Sequence, residues 1–193
     1  MCKKLFLFPI ILLSLLTGCT NSISTFSAPD LNEKGIVLLS VTDRGLFAST
    51  GVIFSVEANQ TKERLVVKDF PIALPTQAKV KKFFGAFALP EGNYKFTSYR
   101  FIQTAGTPIK EPNEPLTFTV KKGEIVYIGN FDVTRFLESG IFRDKYDEDI
   151  TIFKSEYSWL NGLNIKKELI KPVWWSSEEG KKMREKMEKS QNK

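Results

Sequence analysis

The sequence lacks histidine altogether and contains only two cysteines, Cys2 and Cys19. Without histidine the chain cannot form a Ser-His-Asp triad, a Cys-His pair, a histidine-ligated zinc site or an imidazole pH switch. A long apolar run is also missing, because the run that precedes Cys19 is shorter than the roughly 20 residues of a membrane-spanning helix. The lack of histidine excludes most acid–base enzymes. The short apolar run and Cys19 make the N-terminus the most informative part of the sequence.

The N-terminal residues have the pattern of an export signal. Lys3-Lys4 precede an apolar run, Leu5 to Leu16, and this run ends in Leu16-Thr17-Gly18-Cys19. A cationic start, a short apolar segment and small residues at its end are typical of a secretory signal peptide. The last four residues resemble the lipobox of bacterial lipoproteins. Small side chains at Thr17 and Gly18 let a signal peptidase approach the chain, and the thiolate of Cys19 is a nucleophile that accepts a diacylglyceryl group.

The lipobox resemblance implies cleavage before Cys19 and a lipid anchor, such as palmitate chains, on that residue. Two or three acyl chains hold a protein durably at about 0.8 kcal/mol per buried CH₂. An ordinary signal peptide with a chance cysteine and an uncleaved anchor helix are the alternatives. Residue Thr20 is not Asp, so the sorting rule of enteric lipoproteins implies an outer-membrane location in an organism that has one. Cys2 leaves with the signal, and the mature chain then has no thiol pair for a disulfide.

The sequence divides into four segments. Residues 1–18 are the predicted lipoprotein signal peptide, and 19–34 contain the lipidated cysteine and a flexible tether. Within that tether Thr20 to Asp30 is rich in Ser, Thr and Asn, and a random coil of this length spans on the order of 20 Å. Residues 35–153 are the predicted β-sandwich domain, and 154–193 are a helical extension with a charged tail.

Residues 35–153 show strand after strand with few helical signals between them. Ile36 to Leu39 is continuously apolar, as expected of a strand covered on both faces. About seven short strands with turns roughly every ten residues predict an all-β, antiparallel sandwich. The segments Pro90 to Tyr94 and Phe118 to Gly129 resemble motifs of small bacterial lipoproteins with an immunoglobulin-like or transthyretin-like sandwich. This resemblance implies the fold and brings no catalytic residues with it.

Several local features are predicted along these strands. A β-bulge near Thr97-Ser98 is needed to place Tyr94, Phe96, Tyr99 and Phe101 on one buried face. Lys121-Lys122-Gly123 predicts a hairpin turn with a left-handed glycine. A last strand is expected at Asp149 to Phe153, a short helix at Ser155 to Asn161, and a helix after the capping-box pattern Ser176 to Glu179.

Two groups of residues are candidates for chemistry. The first is acidic and can be read as a calcium site, as an acid–base pair or as a solvated loop: Asp144, Asp147, Glu148 and Asp149. It lacks the alternating spacing and central glycine of a calcium loop, which favours the solvated loop and predicts no metal. The second comprises Trp159, Trp174 and Trp175, which can stack on sugars, lie at a membrane interface or close the core. Core closure is favoured, with at most one of the adjacent pair fully buried.

The function expected from these features is that of a membrane-anchored lipoprotein acting as a non-catalytic binding or structural module of the cell envelope. Its partners would be membrane lipid through Cys19 and an envelope protein or cell-wall polymer, met through sheet edges or the loop Thr104 to Pro115. No cofactor is indicated. The net charge of +6 falls to about +4 without the signal and does not require nucleic acid. The alternative is a lipid-anchored hydrolase that uses carboxylates such as Asp147 and Glu148.

Overall fold

A computed structural model describes residue 23 and residues 28–29, 31–44, 51–68, 80–102, 108–110 and 114–191. The lipobox residues Leu16, Thr17, Gly18 and Cys19 lie outside this part of the chain, as does most of the loop Thr104 to Pro115. Within the described residues no helix is both long and apolar enough to cross a membrane.

The described residues form eleven strands and two α-helices. The strands are β1 (Gly35–Asp43), β2 (Gly51–Ala58), β3 (Thr61–Lys68), β4 (Lys81–Leu89), β5 (Gly92–Phe101), β6 (Ile109–Lys110), β7 (Thr117–Val120), β8 (Ile125–Thr134), β9 (Ser139–Arg143), β10 (Ile165–Lys167) and β11 (Trp175–Ser176). The helices are α1 (Tyr146–Glu156) and α2 (Glu178–Gln191). The prediction of a mainly β protein is therefore confirmed.

All the strands belong to one sheet in the order β11-β9-β8-β1-β4-β3-β2-β5-β6, with β10 paired to β8 and β7 paired to β5. Most pairs are antiparallel, but β1 and β10 each run parallel to β8. Strands β3 and β4 pair only at Lys68 and Phe84. The sheet curls into a nearly closed, barrel-like form. It is thus a mixed sheet rather than a purely antiparallel one, and it does not by itself confirm an immunoglobulin-like sandwich.

Strand β1 lies near the middle of the sheet and is buried on both faces, as its apolar sequence predicts. Val37, Leu39 and Val41 point into the core that the curled sheet encloses. Ile36 and Leu38 point to the outer face, where α1 and the residues after it cover them. The molecule therefore has an inner core within the sheet and an outer core beneath α1.

The predicted bulge in β5 is confirmed. Ser55 pairs with Ser98 and the next residue, Val56, pairs with Phe96, so that Thr97 is the extra residue. The Thr97 hydroxyl donates to the carbonyl oxygen of Ser55 at 3.3 Å. The bulge brings the four aromatic residues of β5 to the inner core, as expected: Tyr94, Phe96, Tyr99 and Phe101.

The hairpin predicted around Lys121 to Gly123 is wrong, although its turn is present. Gly123 has the expected left-handed conformation, with φ +75°. The strands on either side do not pair with each other, because β7 pairs with β5 and β8 pairs with β1. The turn therefore carries the chain from one part of the sheet to another.

The strand predicted at Asp149 to Phe153 is also wrong, because these residues lie within α1. Three acidic residues in the first turn stabilise the positive end of the helix dipole, and the backbone N–H of Tyr146 donates to the Asp144 carboxylate at 3.1 Å. Ile150 and Phe153 are spaced to bury one helical face against the sheet. The free energy gained from burying these two side chains thus outweighs the preference of the β-branched residues in this stretch for a strand.

The residues after α1 contribute to the same sheet. The short helix predicted from Ser155 is wrong, since α1 ends at Glu156 and a 3₁₀ turn follows at Ser158–Leu160. Strands β10 and β11, which the sequence does not predict, then add to β8 and β9. The helix predicted after Ser176 to Glu179 is present as α2, which begins at Glu178, and the Ser177 hydroxyl caps it by accepting from the Gly180 N–H at 3.0 Å.

Candidate functional site: a buried carboxylate between the sheet and helix α1

The outer face of β1 becomes polar at Ser40, directly after a run of apolar residues. Ser40 pairs in register with Asn130 on β8. Asn130 lies on this outer face because β8 contains an irregularity at Gly129, whose φ of +125° is strained for any other residue. The irregularity resets the alternation of the strand, so that Tyr127 and Asn130 both face α1.

A chain of hydrogen bonds connects these residues to the helix. The Thr42 hydroxyl donates to Asn130 Oδ1 at 3.0 Å, and Asn130 Nδ2 donates to Ser40 Oγ at 2.7 Å. The Ser40 hydroxyl in turn donates to Asp149 Oδ2, which also accepts from the Tyr127 hydroxyl at 2.6 Å. The carboxylate of Asp149 is therefore the acceptor at the end of a buried polar network.

Burial dominates the electrostatics of this network. Asp149 has no solvent-exposed surface, and its other oxygen, Oδ1, has no hydrogen-bond partner. Burial raises the pKa of Asp149 above its ordinary value, although the bonds from Ser40 and Tyr127 oppose that shift. Burial, together with the bond to Asp149, also raises the pKa of the Tyr127 hydroxyl. An enclosed carboxylate of this kind joins α1 to the sheet and is closed to any substrate.

The other three acidic residues of the predicted cluster are exposed, and two of them pair with lysines. Asp144 lies 2.5 Å from Lys167, and Glu148 pairs with Lys82. These pairings lower the pKa of both carboxyl groups. The solvated loop expected here is in fact the start of a helix, and its four acidic residues do not converge on one point. Among the described residues, no three cysteine or carboxylate side chains are grouped in a way that holds a metal ion.

A second carboxylate, Asp132, lies on the same face of β8 and is held by two arginines. Arg44 donates to both of its oxygens, at 2.7 and 3.1 Å, and Arg143 donates to Oδ2 at 3.1 Å. Both guanidinium groups are about half exposed, and the bond to Asp132 raises the pKa of Arg44. The three charges fasten the ends of β1, β8 and β9 together.

The three tryptophans have different positions. Trp175 is fully buried in the inner core, where it packs edge-on to Tyr99 at 4.8 Å and donates from Nε1 to the Lys110 carbonyl oxygen at 2.5 Å. Trp174 is 41% exposed and lies under the guanidinium of Arg184. Trp159 is partly buried at the outer core. The prediction that at most one of the adjacent pair is fully buried is thus confirmed.

The sequence missed the partners of Asp149, namely Ser40, Tyr127 and Asn130. A usable signal was present, since Ser40 directly follows the continuous apolar run Ile36 to Leu39 and Asn130 interrupts the apolar residues of β8. A buried polar group requires a hydrogen-bond partner. Two such residues on separate strands therefore indicate a shared polar network.

Comparison with known proteins adds little to this description. No protein-family model matches the chain, and no curated protein matches it. One solved structure, a leucine-rich repeat protein from Bacteroides thetaiotaomicron, aligns with 53% of this chain at 17% identity and a TM-score of 0.32. The aligned region is 14% of that protein's length, and so weak a likeness carries no argument about fold or function.

Proposed function

We propose that this protein is a lipoprotein held in a membrane through Cys19, and that its β domain is a non-catalytic binding or structural module of the cell envelope. The observation that carries the proposal is the order of residues at the N-terminus, where two lysines and a short apolar run lead into Leu16-Thr17-Gly18-Cys19. Thr20 in the next position favours delivery to an outer membrane.

The packing of the inner core can stabilise an exported domain that has no disulfide. The inner core brings aromatic rings into mutual contact around Phe54, whose ring centroid lies 5.3 Å from that of Phe131 and 5.5 Å from that of Phe96. Aromatic contacts of this kind add to the free energy gained from the burial of apolar area. Such a core supports a stable fold in a mature chain that has no thiol pair.

We propose further that the sheet is related to the immunoglobulin-like or transthyretin-like sandwiches. The Tyr94 hydroxyl donates to the Pro90 carbonyl oxygen at 2.9 Å, across the turn that carries the resemblance. A tyrosine that bonds back to the backbone a few residues upstream is a feature of immunoglobulin-like domains. This bond supports the relationship at one corner of the sheet.

The alternative function is a lipid-anchored hydrolase that acts on an envelope polymer with a pair of carboxylates. A general acid needs a pKa raised towards neutrality and access to the substrate. Glu148 is accessible, but its pKa is lowered by Lys82. Asp149 has a raised pKa but is enclosed. Neither residue combines the two requirements, and this favours the binding module.

The test combines capture of partners with an activity assay on the same protein in its mature form, as cells produce it. Crosslinking in cells, with Cys19→Ser as the control that removes the anchor, should capture a reproducible envelope protein or cell-wall polymer only with the wild-type chain. Purified protein should show no turnover of envelope polymers. Hydrolysis that disappears in Asp147→Ala or Glu148→Ala would overturn the module and establish the hydrolase.

A further inference from the structure

Residue Ile23 is attached to the folded domain. Its backbone N–H donates to the carbonyl oxygen of Ala86 on β4 at 2.9 Å, and its side chain packs against the outer core. The attachment point is the side of β4 that faces β3, where those two strands pair only at Lys68 and Phe84. The stretch predicted to be a flexible tether is therefore docked on the sheet at this residue.

The docking point fixes how far the domain can lie from Cys19. Only four residue steps separate Cys19 from Ile23, and a fully extended chain covers at most about 14 Å in four steps. A free coil from Thr20 to Asp30 would instead allow on the order of 20 Å and no preferred orientation. If Cys19 is lipidated, the edge of β4 near Ala86 is thus the part of the domain that must lie close to the membrane.

A partly exposed tryptophan, Trp159, is linked to this point through the buried Tyr157. The Tyr157 hydroxyl accepts a hydrogen bond from the backbone of Ala86, and the ring of Trp159 packs edge-on to Tyr157 at 5.8 Å. Trp159 is partly buried and so keeps part of its surface available to solvent. Tryptophan and tyrosine are enriched at the headgroup level of membranes, because their rings are amphipathic.

We propose that the domain rests on the lipid bilayer with the β4 edge and the 3₁₀ turn Ser158–Leu160 towards the headgroups, and that Trp159 lies at that interface. This orientation rests on the proposed anchor at Cys19. It places α2 and Trp174 away from the membrane, since β11 is four strands from β4 in the sheet order. At the usual spacing of neighbouring strands this is about 19 Å along the sheet.

Tryptophan quenching tests this orientation. The mature protein, as purified from cells that express the whole chain, is reconstituted into phosphatidylethanolamine–phosphatidylglycerol vesicles that contain a lipid with a nitroxide-labelled headgroup. We expect quenching in the wild type, loss of that quenching in Trp159→Phe and full retention in Trp174→Phe. Trp175 stays in every variant as a buried internal reference. Quenching that survives Trp159→Phe and disappears in Trp174→Phe would assign the interface to the part of the sheet around β11 and overturn the proposal.

A pair of insertions tests the docking of Ile23 separately. Ten Gly/Ser residues between Thr20 and Asn21 add about 17 Å of coil before the docking point. The same insertion between Ala28 and Pro29 adds coil after it. We expect the first insertion to reduce quenching of Trp159 and the second to leave it unchanged. Equal effects of the two insertions would show that Ile23 does not hold the domain near the anchor.

Sedimentation with the vesicles separates failure of the orientation from failure of the anchor. Protein that sediments with vesicles but shows no quenching overturns the orientation and leaves the anchor standing. Protein that stays in the supernatant overturns the anchor, and the orientation fails with it. Sedimentation with quenching confined to Trp159 supports both.

Discussion

The hydroxyl of Tyr127 on β8 donates to Oδ2 of Asp149 on α1 at 2.6 Å, and the two residues thereby join the helix to the sheet at a point closed to solvent. The same oxygen accepts from Ser40 on β1. Removal of the carboxylate would leave two buried hydroxyl donors without their acceptor. The free energy of unfolding should depend strongly on this single side chain.

Asp149→Ala should lower the free energy of unfolding by about 2–3 kcal/mol, because buried donors lose their partner. Asp149→Asn retains an acceptor oxygen and should lower it by less. The matched control is Asp147→Ala, an exposed acidic residue of the same helical turn, for which we expect a loss below about 1 kcal/mol. Urea denaturation measures all three variants. Equal losses for Asp147→Ala and Asp149→Ala would contradict the description of the network.

The contributions of Asp149 and Asp144 to the free energy of unfolding should change with pH in opposite directions. The pKa of Asp149 is raised on folding, so the folded protein binds an extra proton and loses stability as the pH rises through the window between its unfolded and folded pKa values. The pKa of Asp144 is lowered, so its contribution is lost as the pH falls. Carboxyl-carbon NMR titration should give a midpoint for Asp149 above 3.8 and one for Asp144 below 3.8. A midpoint at or below 3.8 for Asp149 would contradict its enclosure.

Trp175 should contribute far more to stability than its neighbour in the sequence. Trp175→Ala opens a cavity among the aromatic rings of the inner core and should cost about 3–5 kcal/mol. Trp174→Ala removes a half-exposed ring and its contact with Arg184, at about 1 kcal/mol or less. Thermal denaturation of the two variants compares them directly. A similar shift in both melting temperatures would mean that Trp175 does not close the core.

Gly180 is the point of close contact between α2 and the rest of the domain. A Cβ at this position would collide with the carbonyl oxygen of Leu137, which lies in the 3₁₀ turn Arg135–Leu137 between β8 and β9. In a helix without such a contact, alanine is favoured over glycine by about 1 kcal/mol. The substitution therefore stabilises α2 if the contact is absent and destabilises it if the contact is present. Gly180→Ala should displace α2 and increase amide exchange along it, whereas Lys181→Ala should not. Slower exchange in Gly180→Ala would show that α2 does not pack at this point.

Some features of the strands can be predicted from the sequence, and others cannot. The two-sided burial of β1 is predictable because its apolar run is continuous, and the bulge at Thr97 is predictable because the alternation of apolar residues along β5 reports its buried face. The pairing of β7 with β5 is not, since a turn at Gly123 suits a hairpin and a crossover equally well. The short strands β10 and β11 form because they pair with β8 and β9. Their own residues show no clear strand pattern.

The candidate site was predictable only in part. The acidic residues near Asp149 stand out in the sequence, but the one that is buried cannot be distinguished from those that pair with lysines at the surface. That difference depends on the helical register of α1, which a β-branched stretch conceals. The docking of Ile23 likewise depends on a free position along β4 that only the folded sheet provides.

The anchor at Cys19 is the claim on which the proposed function depends, and mass spectrometry of the N-terminal peptide of the mature protein tests it most directly. The peptide should begin at Cys19 and carry a diacylglyceryl thioether, and Cys19→Ser should leave the chain unprocessed or release it in soluble form. A mature chain that begins elsewhere, or an unmodified Cys19 in protein purified from membranes, would contradict the account.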